Sequence, residues 1–539
     1  MSVSLMELFA DSEYFDAAWY AARYPDVDAS GMSPIEHYVE IGEPLGRDPG
    51  PAFSPSWYLT RYSDVANSEF SPLEHFILRG RSEGRLPRGI QAVERERELW
   101  ESSAEPAACL RALETLRHGD VPWEASYAAW ALGRWHAWQG DWPSVVECLA
   151  PLHEMADRQP GGPAPLLLEV EALIHTDALV EAHERVLELR RAYPTYHDTC
   201  LAMSNLLAAQ AHRLSAAREA GEQALALSER LRLDWINAPW RKTCLAEASL
   251  RDSGSPLSLD NLEGDMSAVW GEQNQGVDEL VSVIMPAFNA EATLATALRS
   301  LLAQTHSALE ILVVDDASAD GTLAVAEAFA ARDSRVRVLP QSINQGAYTA
   351  RNRGLAEAAG EFWTVHDCDD WSHPQKLALQ VAAMREHDDW VACSSDWVRC
   401  TSDLEFHHWR MEEGWIYRNT SSLLFRRQVF ETLGFWDRVR VNGDTEYLHR
   451  VRAAFGRQAV GEVLKGVPLT LGRSQPDSLS QAGPTHLCTQ FKGLRRDYQE
   501  AAKAWHSSAS QPSDLYLPAL PDERPFDAPQ ANLPSASEP

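Results

Sequence analysis

The stretch VSVIMPAFNAEATLATALRSLLAQTHSALEILVVDDASADGT, residues 281–322, decides the fold. Two short apolar runs, VSVIMP and ALEILVVDD, enclose a segment with apolar residues at helical spacing, TLATALRSLLAQ. The alternation continues with the apolar runs RVRVLP, GEFWTVHD and DWVACSSD. Apolar strands that alternate with helices are typical of an α/β domain with a largely parallel sheet. We predict such a domain over residues 279–505.

Polar clusters follow three of these runs, at the strand ends where α/β sheets bind ligands. They read PAFNAEAT, DDASADGT and HDCDDW. The last crowds Asp367, Asp369 and Asp370 into four positions, where carboxylates repel one another unless a cation lies among them. No glycine fingerprint follows the first run and the sequence contains no GxxxxGK[ST], which argues against a dinucleotide-binding dehydrogenase and a P-loop enzyme.

The composition is that of an acidic, folded protein. At 539 residues the chain is too long for one hydrophobic core, and 45% of its residues are hydrophobic. The net charge of -30 opposes binding to nucleic acid or to an anionic membrane surface. The eight cysteines form no CxxC pair and no zinc-like cluster, so we expect neither a structural zinc nor a disulfide framework, as suits a reducing cytoplasm.

The start of the chain has no basic segment of the kind that opens a secretory signal. No apolar run approaches the ~20 residues that span a bilayer. We therefore expect a cytoplasmic protein without a membrane span, which associates with membranes only through a partner.

Residues 1–90 contain a tandem repeat of 38 residues. Seven pairs keep this spacing: Phe15/Phe53, Trp19/Trp57, Tyr24/Tyr62, Pro34/Pro72, His37/His75, Gly42/Gly80 and Gly46/Gly84. Two short helices per unit fit this pattern, the second opened by Ser-Pro, where an N-cap precedes proline at the first helical position. The paired histidines could be ligands, but we interpret them as packing residues because repeats preserve what packs.

Three further segments complete the organisation. Residues 91–252 are rich in Ala, Leu, Glu and Arg at helical spacing, and we interpret them as a helical region similar to tetratricopeptide repeats that could dock a protein partner. Residues 253–278 read as a linker. Residues 506–539, rich in Pro and Ser, read as a disordered tail.

Residues 280–472 resemble glycosyltransferase family 2, the inverting transferases of GT-A fold. Three blocks carry the resemblance in order and spacing: the opening stretch, then NQGAYTARNRGLAEAAGEFWTVHDCDDWSHPQKL, then SSLLFRRQVFETLGFWDRVRVNGDTEYLHRV. The 38-residue units are similar to repeats found beside such domains in bacterial surface-polysaccharide enzymes. The resemblance implies a GT-A transferase domain preceded by the helical-repeat region.

The resemblance implies a nucleotide-sugar site. It places Pro286 and Phe288 beside the base, where the family often has Tyr, and Asp316 on the base or ribose. From the residues alone, a turn after a strand is the favoured role for Asp316. Arg351 could offset phosphate charge or lie on a solvated helix face.

HDCDDW corresponds to the DxD element of the family. The resemblance implies that Asp367 and Asp369 hold the metal and the donor's ribose or diphosphate. Asp370 would support these ligands from behind or serve as an alternative ligand, and the ion would be Mn²⁺ or Mg²⁺. His366 stands where the family usually has an apolar residue. Cys368, between the aspartates, is a soft ligand and a poor choice for a hard ion.

Asp444, in NGDTEYLHRV, corresponds to the general base of the family. The residues alone make it a good helix N-cap, and both roles are compatible. Glu446 is the neighbouring candidate for the base. His486 is a candidate for the metal, although a lone histidine is more often structural.

The sequence thus predicts an inverting transferase that moves a sugar from a nucleoside-diphosphate sugar donor to a hydroxyl of a glycan, lipid-linked or protein acceptor. The loop from Thr401 to Tyr417 is expected to carry specificity. The alternative is a catalytically idle glycan-binding or scaffold protein that uses the helical repeats for partner docking.

Overall fold

The computed structural model describes residues 5–68, 70–101, 106–152, 162–216, 222–264, 279–408, 414–475 and 485–534. The chain divides into two compact units, Met1–Tyr193 and Pro194–Pro539. Among the described residues, no helix is both long and apolar enough to cross a membrane.

The described part of the first unit is helical. Its helices are α1 (Leu5–Ala10), α2 (Ala17–Arg23), α3 (Asp26–Ser30), α4 (Pro34–His37), α5 (Pro55–Arg61), α6 (Pro72–His75), α7 (Gln91–Glu101), α8 (Ala107–Arg117), α9 (Pro122–Trp138), α10 (Trp142–Leu149), α11 (Ala164–His175) and α12 (Leu179–Ala192). From α8 to α12 each helix packs against the next one along the chain. The likeness of this region to tetratricopeptide repeats stays a prediction.

The two 38-residue units have matching local structure. Ser33 and Ser71 each form a capping box with the glutamate three residues later, and proline follows at the first helical position. His37 and His75 are buried, and each Nδ1 lies 3.0–3.1 Å from a tyrosine hydroxyl, that of Tyr20 or Tyr58. The histidines are therefore packing residues. The core of these two units consists mainly of Phe and Tyr rings, and the half-buried Trp19 packs against it.

The second unit is an α/β domain. Its helices are α13 (Asp198–Ala216), α14 (Glu222–Lys242), α15 (Leu294–Leu302), α16 (Thr322–Ala330), α17 (Ala347–Glu357), α18 (Lys376–Glu386), α19 (Arg427–Leu433), α20 (Gly443–Phe455) and α21 (Leu494–Ser508). Its strands are β1 (Ala248–Leu250), β2 (Leu262–Gly264), β3 (Val281–Ala287), β4 (Leu309–Asp315), β5 (Val336–Pro340), β6 (Phe362–Val365), β7 (Trp371–Ser372), β8 (Ala392–Cys400), β9 (Ile416–Arg418), β10 (Leu424–Arg426) and β11 (Val460–Arg473).

The main sheet has the order β5-β4-β3-β6-β10-β8-β11-β7, with β9 on β8. The strands from β5 to β6 are parallel, as predicted. Beyond them the sheet is mixed, because β10 runs antiparallel to both of its neighbours whereas β11 is parallel to β8. The carboxyl ends of β3, β4 and β6 therefore meet at one edge.

The central strand β3 is buried on both faces, as its continuous apolar run requires. Val283 and Met285 belong to the core cluster that includes residues of α15, α16 and α18. Ile284, with the opposite orientation, belongs to the cluster that includes residues of α17, α20 and α21. The domain is thus three layers, helix–sheet–helix.

The helical hairpin α13–α14 belongs to the second unit, whereas the sequence placed it in the preceding helical region, residues 91–252. The Trp240 indole is fully buried and its Nε1 donates a hydrogen bond of 2.7 Å to the Pro468 carbonyl of β11. Arg232 donates to the carbonyls of Asp403 and Leu404. The amphipathic face of this hairpin is therefore buried by the α/β domain, and the compact units divide at residue 193.

The linker and tail expectations also need correction. Within 253–278 the described residues 253–264 include β2, which pairs with β1, and Leu257 and Leu259 are buried. In the tail, Leu517 exchanges backbone hydrogen bonds with Leu433 and Phe435, and the buried Asn532 bonds to Val441. A small number of buried leucines, among them Leu257, Leu259 and Leu517, is enough to hold these segments in place. Residues 265–278 and 535–539 lie outside the described residues.

Asp198 connects the hairpin to the expected specificity loop. Its buried carboxylate accepts hydrogen bonds from the backbone N–H groups of Trp415 (2.6 Å) and Ile416 (2.9 Å). Asn205, about two turns further along α13, exchanges two hydrogen bonds with the backbone of Phe406. The described part of the loop is therefore held by α13. Residues 409–413 lie outside the described residues.

We predict that Asp198→Asn makes the stability of the protein less dependent on pH. Burial raises the pKa of Asp198 from 3.8 to about 6, so the folded state holds a proton that the unfolded state releases. The wild-type free energy of unfolding should therefore fall as pH rises from about 4 to 6, by up to about 3 kcal/mol. Asn keeps the acceptor without the charge, so its advantage should appear above pH 6 in thermal unfolding. Parallel pH profiles for the two proteins would contradict this.

Candidate active site

The carboxyl ends of β3 and β4 place the residues expected beside the base. Phe288 follows β3 and is 48% exposed, so its ring is accessible for stacking. Pro286 is a buried residue within β3, opposite Val314. Asn289 and Ala317, which lie just beyond these strand ends, have φ angles of 48° and 59°. Left-handed backbone at non-glycine residues is sparsely populated and clusters at functional sites.

Asp316 is buried and accepts three hydrogen bonds. Its Oδ1 accepts from Gln341 Nε2 (2.7 Å) and the Gln345 N–H (2.9 Å), and its Oδ2 accepts from the Gly346 N–H (2.8 Å). Burial raises its pKa. The carboxylate thus fixes the loop that leads into α17.

Arg351 does not lie on a solvated helix face. It is 5% exposed on α17, and its Nη2 donates to Asp367 Oδ1 at 2.8 Å. Its Nε and Nη1 are buried and have no hydrogen-bond partner among the described residues. A buried guanidinium with two unfilled donors is suited to an anionic ligand group.

The three aspartates of the DxD element have different surroundings. Asp370 is buried, and its Oδ1 accepts from the backbone N–H of Arg473 at 2.9 Å. Asp367 is shared with Arg351. The Asp369 carboxylate receives no hydrogen bond from another described residue, whereas its backbone carbonyl accepts from Arg473 Nε. Asp369 is therefore the carboxylate left open for a ligand, and Asp370 is held in the structure by β11.

The acidic cluster fits a cation, although the described residues contain no group of three or more His, Cys, Asp or Glu in metal-binding arrangement. Burial and the charge of Asp367 raise the pKa of Asp369 to about 6, and burial and the charge of Asp369 raise the pKa of Asp370 well above its usual value. Although Arg351 pairs with Asp367 and Arg473 lies beside Asp369, carboxylates crowded in this way favour a hard divalent ion bound through Asp369 and Asp367.

The residues between and beside these aspartates are not ligands. Burial raises the pKa of the Cys368 thiol well above its usual value, so the thiol stays protonated. His366 has ring contacts to the Asp367 carbonyl and the Ser372 hydroxyl, and burial lowers its pKa to about 3. Both are structural.

Asp444 lies in the first turn of α20, but Asn442, with a φ of 70°, is the N-cap. The expected capping role of Asp444 is therefore wrong by two residues. Its half-buried carboxylate accepts from the Tyr348 hydroxyl (3.0 Å) and from the Thr445 N–H (2.8 Å), both through Oδ1. Oδ2 has no partner among the described residues, so it is the oxygen left for a substrate proton.

Glu446, the alternative base, is fully buried. It forms an ion pair with Arg450 (2.9 Å) and contacts His506 Nε2 (3.0 Å). A carboxylate enclosed by two basic side chains serves the packing of α20 on α21 and cannot reach a substrate.

His486 follows Thr485, which is linked to the start of α20 through Arg495. Its neighbour Thr485 accepts a hydrogen bond from Arg495 Nε, and Arg495 Nη1 donates to Asn442 Oδ1 at 3.0 Å. The role of His486 toward a metal stays a prediction.

Two residues of the site escaped the sequence analysis. Tyr348, in the block NQGAYTARN, carries the hydroxyl on Asp444, and Arg473, at the end of β11, fixes Asp369 and Asp370. Their only sequence signals were a tyrosine one helical turn before Arg351 and an arginine that ends an apolar strand. Both signals are common in structural positions.

Comparison with known proteins finds a match over this site. The family profile Glycosyl transferase family 2 matches residues 282–442, from β3 to the N-cap of α20. Over this segment the chain is similar to glycosyltransferase domains of that family. The expected fold class, a GT-A-type α/β domain preceded by a helical region, is confirmed.

Curated relatives match this chain over segments of 108 and 111 residues. The putative glycosyltransferase EpsE of Bacillus subtilis is 39% identical over 108 residues, 20% of this chain and 39% of EpsE. The Escherichia coli protein named UDP-Glc:alpha-D-GlcNAc-diphosphoundecaprenol beta-1,3-glucosyltransferase WfgD is 40% identical over 111 residues, 21% of this chain and 43% of WfgD. The chain thus spans about two fifths of the length of these relatives.

Among solved structures, S. aureus TarS 1-349 in complex with UDP-GlcNAc is similar to 37% of this chain and 60% of its own, with 18% identity and a TM-score of 0.32. The mannosyltransferase PcManGT from Pyrobaculum calidifontis, in complex with GDP-Man and Mn²⁺, covers 34% of this chain and 57% of its own, with 22% identity and a TM-score of 0.27.

Proposed function

We propose that the chain is an inverting glycosyltransferase that moves a sugar from a nucleoside-diphosphate sugar to a hydroxyl acceptor in the assembly of a bacterial surface glycan. One observation carries the proposal. A continuous series of contacts runs from the donor-side carboxylate Asp367 through Arg351 and Tyr348 to Asp444, whose Oδ2 is open. The series joins a site for an anion to a site for a base. The name of WfgD, which gives alpha-D-GlcNAc-diphosphoundecaprenol as its acceptor, supports a lipid-linked glycan as acceptor.

The donor would occupy the edge formed by the ends of β3, β4 and β6. The exposed Phe288 ring offers a stacking surface for the base. The Nε and Nη1 nitrogens of Arg351, which have no partner among the described residues, would face the diphosphate, since charge-assisted hydrogen bonds to phosphate are strong. Asp316 would contribute by holding the loop before α17.

A divalent ion, Mn²⁺ or Mg²⁺, would be held by Asp369 and Asp367, and when bound it neutralises charge on the departing diphosphate. The chain's own residues bring the acceptor into line. Asp444 takes the proton of the attacking hydroxyl through Oδ2 while Tyr348 and Thr445 hold Oδ1. A single displacement of this kind inverts the anomeric centre.

A thermal-shift experiment tests the donor site directly. We expect a nucleoside diphosphate from a panel to raise the melting temperature with Mn²⁺ present, since a ligand at a hundredfold excess over its Kd stabilises by about 2.7 kcal/mol. Asp369→Asn should lose the Mn²⁺-dependent part of the shift. The matched control is Asp389→Asn, which removes the same charge from an exposed turn.

The same panel, used as nucleotide sugars, tests turnover through release of the nucleoside diphosphate. Binding without release or transfer from any donor would favour the idle scaffold. If the protein neither binds nor turns over any donor of the panel, the proposal is refuted. An equal thermal shift in excess chelator would refute the metal assignment. The N-terminal repeats remain proposed as a docking region for a protein partner.

A further inference from the structure

The Tyr348 hydroxyl makes two hydrogen bonds to the same residue. It donates to Asp444 Oδ1 at 3.0 Å and accepts from the Asp444 backbone N–H at 3.1 Å. These two bonds close a ring through the Asp444 side chain and thereby fix its rotamer. They occupy one carboxylate oxygen and leave Oδ2 without a partner among the described residues.

The hydroxyl stays a donor under all ordinary conditions. Tyr348 is 6% exposed, and burial together with the charge of Asp444 raises its pKa far above the usual value of 10.0. The bond to Oδ1 is thus a neutral O–H donating to a carboxylate oxygen.

The ring beneath this hydroxyl is held from two sides. A Cβ atom on Gly443 would come within 2.8 Å of the Tyr348 Cε1, so only glycine at this position lets the ring lie against the start of α20. On the other side the Arg351 guanidinium lies 4.9 Å from the ring centroid while its Nη2 bonds to Asp367. The position of the hydroxyl is therefore set by the helix carrying the base and by the donor-side arginine.

We propose that Tyr348 is the positioning residue of Asp444: it orients the carboxylate so that Oδ2 faces the acceptor hydroxyl. The inference rests on the proposed function, in which Asp444 is the base. Tyr348 touches neither substrate nor metal in this role and acts only through Asp444.

The test is Tyr348→Phe in the full-length protein. Phe keeps the ring against Gly443 and Arg351 and removes only the hydroxyl. We expect kcat to fall roughly tenfold with KM for the donor unchanged, because a charge-assisted hydrogen bond that orients the base is lost.

Tyr447→Phe is the matched control. Tyr447 is a buried tyrosine of the same helix, and its hydroxyl donates to the Gly434 carbonyl at 3.0 Å. Loss of this bond should lower the melting temperature without lowering the kcat of the folded fraction. The charged groups that face the start of α20, Arg351 from α17 and Arg495 from α21, are the same in both variants. A fall in kcat at unchanged donor KM that is seen only in Tyr348→Phe therefore reports on Asp444.

The double variant distinguishes positioning from direct action. In the Asp444→Asn background, Tyr348→Phe should cause no further loss, because a residue that acts through another has no effect once that residue is changed. A further tenfold loss would overturn the inference, as would a wild-type kcat in Tyr348→Phe. If that variant fails to fold, Gly443→Ala, which displaces the ring, should give the same fall in kcat at unchanged donor KM, and its absence would overturn the inference.

The outcome separates this inference from the proposed function. An active wild type with an unaffected Tyr348→Phe overturns the inference alone. A wild type that releases no nucleoside diphosphate from any sugar donor overturns both.

Discussion

Replacing Asp444 by Asn is expected to lower turnover about 10²- to 10⁴-fold while donor affinity in the presence of metal stays close to that of the wild type. An acceptor hydroxyl must lose its proton as it attacks, and Asp444 carries the open carboxylate oxygen on the acceptor side of Arg351. Asn can still accept the hydrogen bonds of Tyr348 and Thr445 through its amide oxygen, so the first turn of α20 should be preserved. The measurement is kcat and donor KM, with the melting temperature as the check on folding.

Glu446→Gln, two residues further along the same helix, is the control. Its carboxylate is enclosed by Arg450 and His506, so we expect a loss of stability with the turnover of the folded fraction retained. If Asp444→Asn retained turnover while Glu446→Gln lost it, the base would be misassigned. Retention in both would mean that the mechanism is wrong.

The sequence predicted those parts of the site that lie at strand ends. Asp316 and Asp367 each follow an apolar run, and parallel strands bring the ends of such runs to one edge. What the sequence could not predict was how these side chains are already engaged. Asp316 is held by the loop that precedes α17, and Asp370 by β11, more than a hundred residues later. Contacts over such distances have no local pattern.

The domain boundary was wrong for a related reason. An amphipathic helix reveals that one face will be buried but not which core will bury it. α13 and α14 have the same composition as the helices before them, yet Trp240 and Arg232 bond to the α/β domain. The Pro- and Ser-rich composition of the tail likewise predicted disorder, but composition cannot show that Leu515 and Leu517 have a buried site to fill.

Truncation is expected to distinguish the observed boundary from the expected one. A fragment that starts at residue 194 contains both core clusters of the α/β domain and the α13–α14 hairpin, so we expect it to be soluble and to melt cooperatively. A fragment that starts at residue 261 lacks the hairpin and Asp260, which pairs with the buried Arg473. It leaves a buried charge unpaired and exposes the surface that covered Trp240, so we expect it to aggregate.

The point variant Trp240→Ala tests the same contact in the full-length chain. The indole is fully buried, donates to the Pro468 carbonyl and lies 5.0 Å from the His373 ring. Its removal leaves a cavity and an unpaired carbonyl and should cost about 3–5 kcal/mol, a large part of the 5–15 kcal/mol that stabilises a typical domain. Leu231→Ala, 42% exposed on the same helix, should cost far less. Equal and small effects of the two variants, together with a soluble fragment from residue 261, would show that the transferase domain folds without the hairpin.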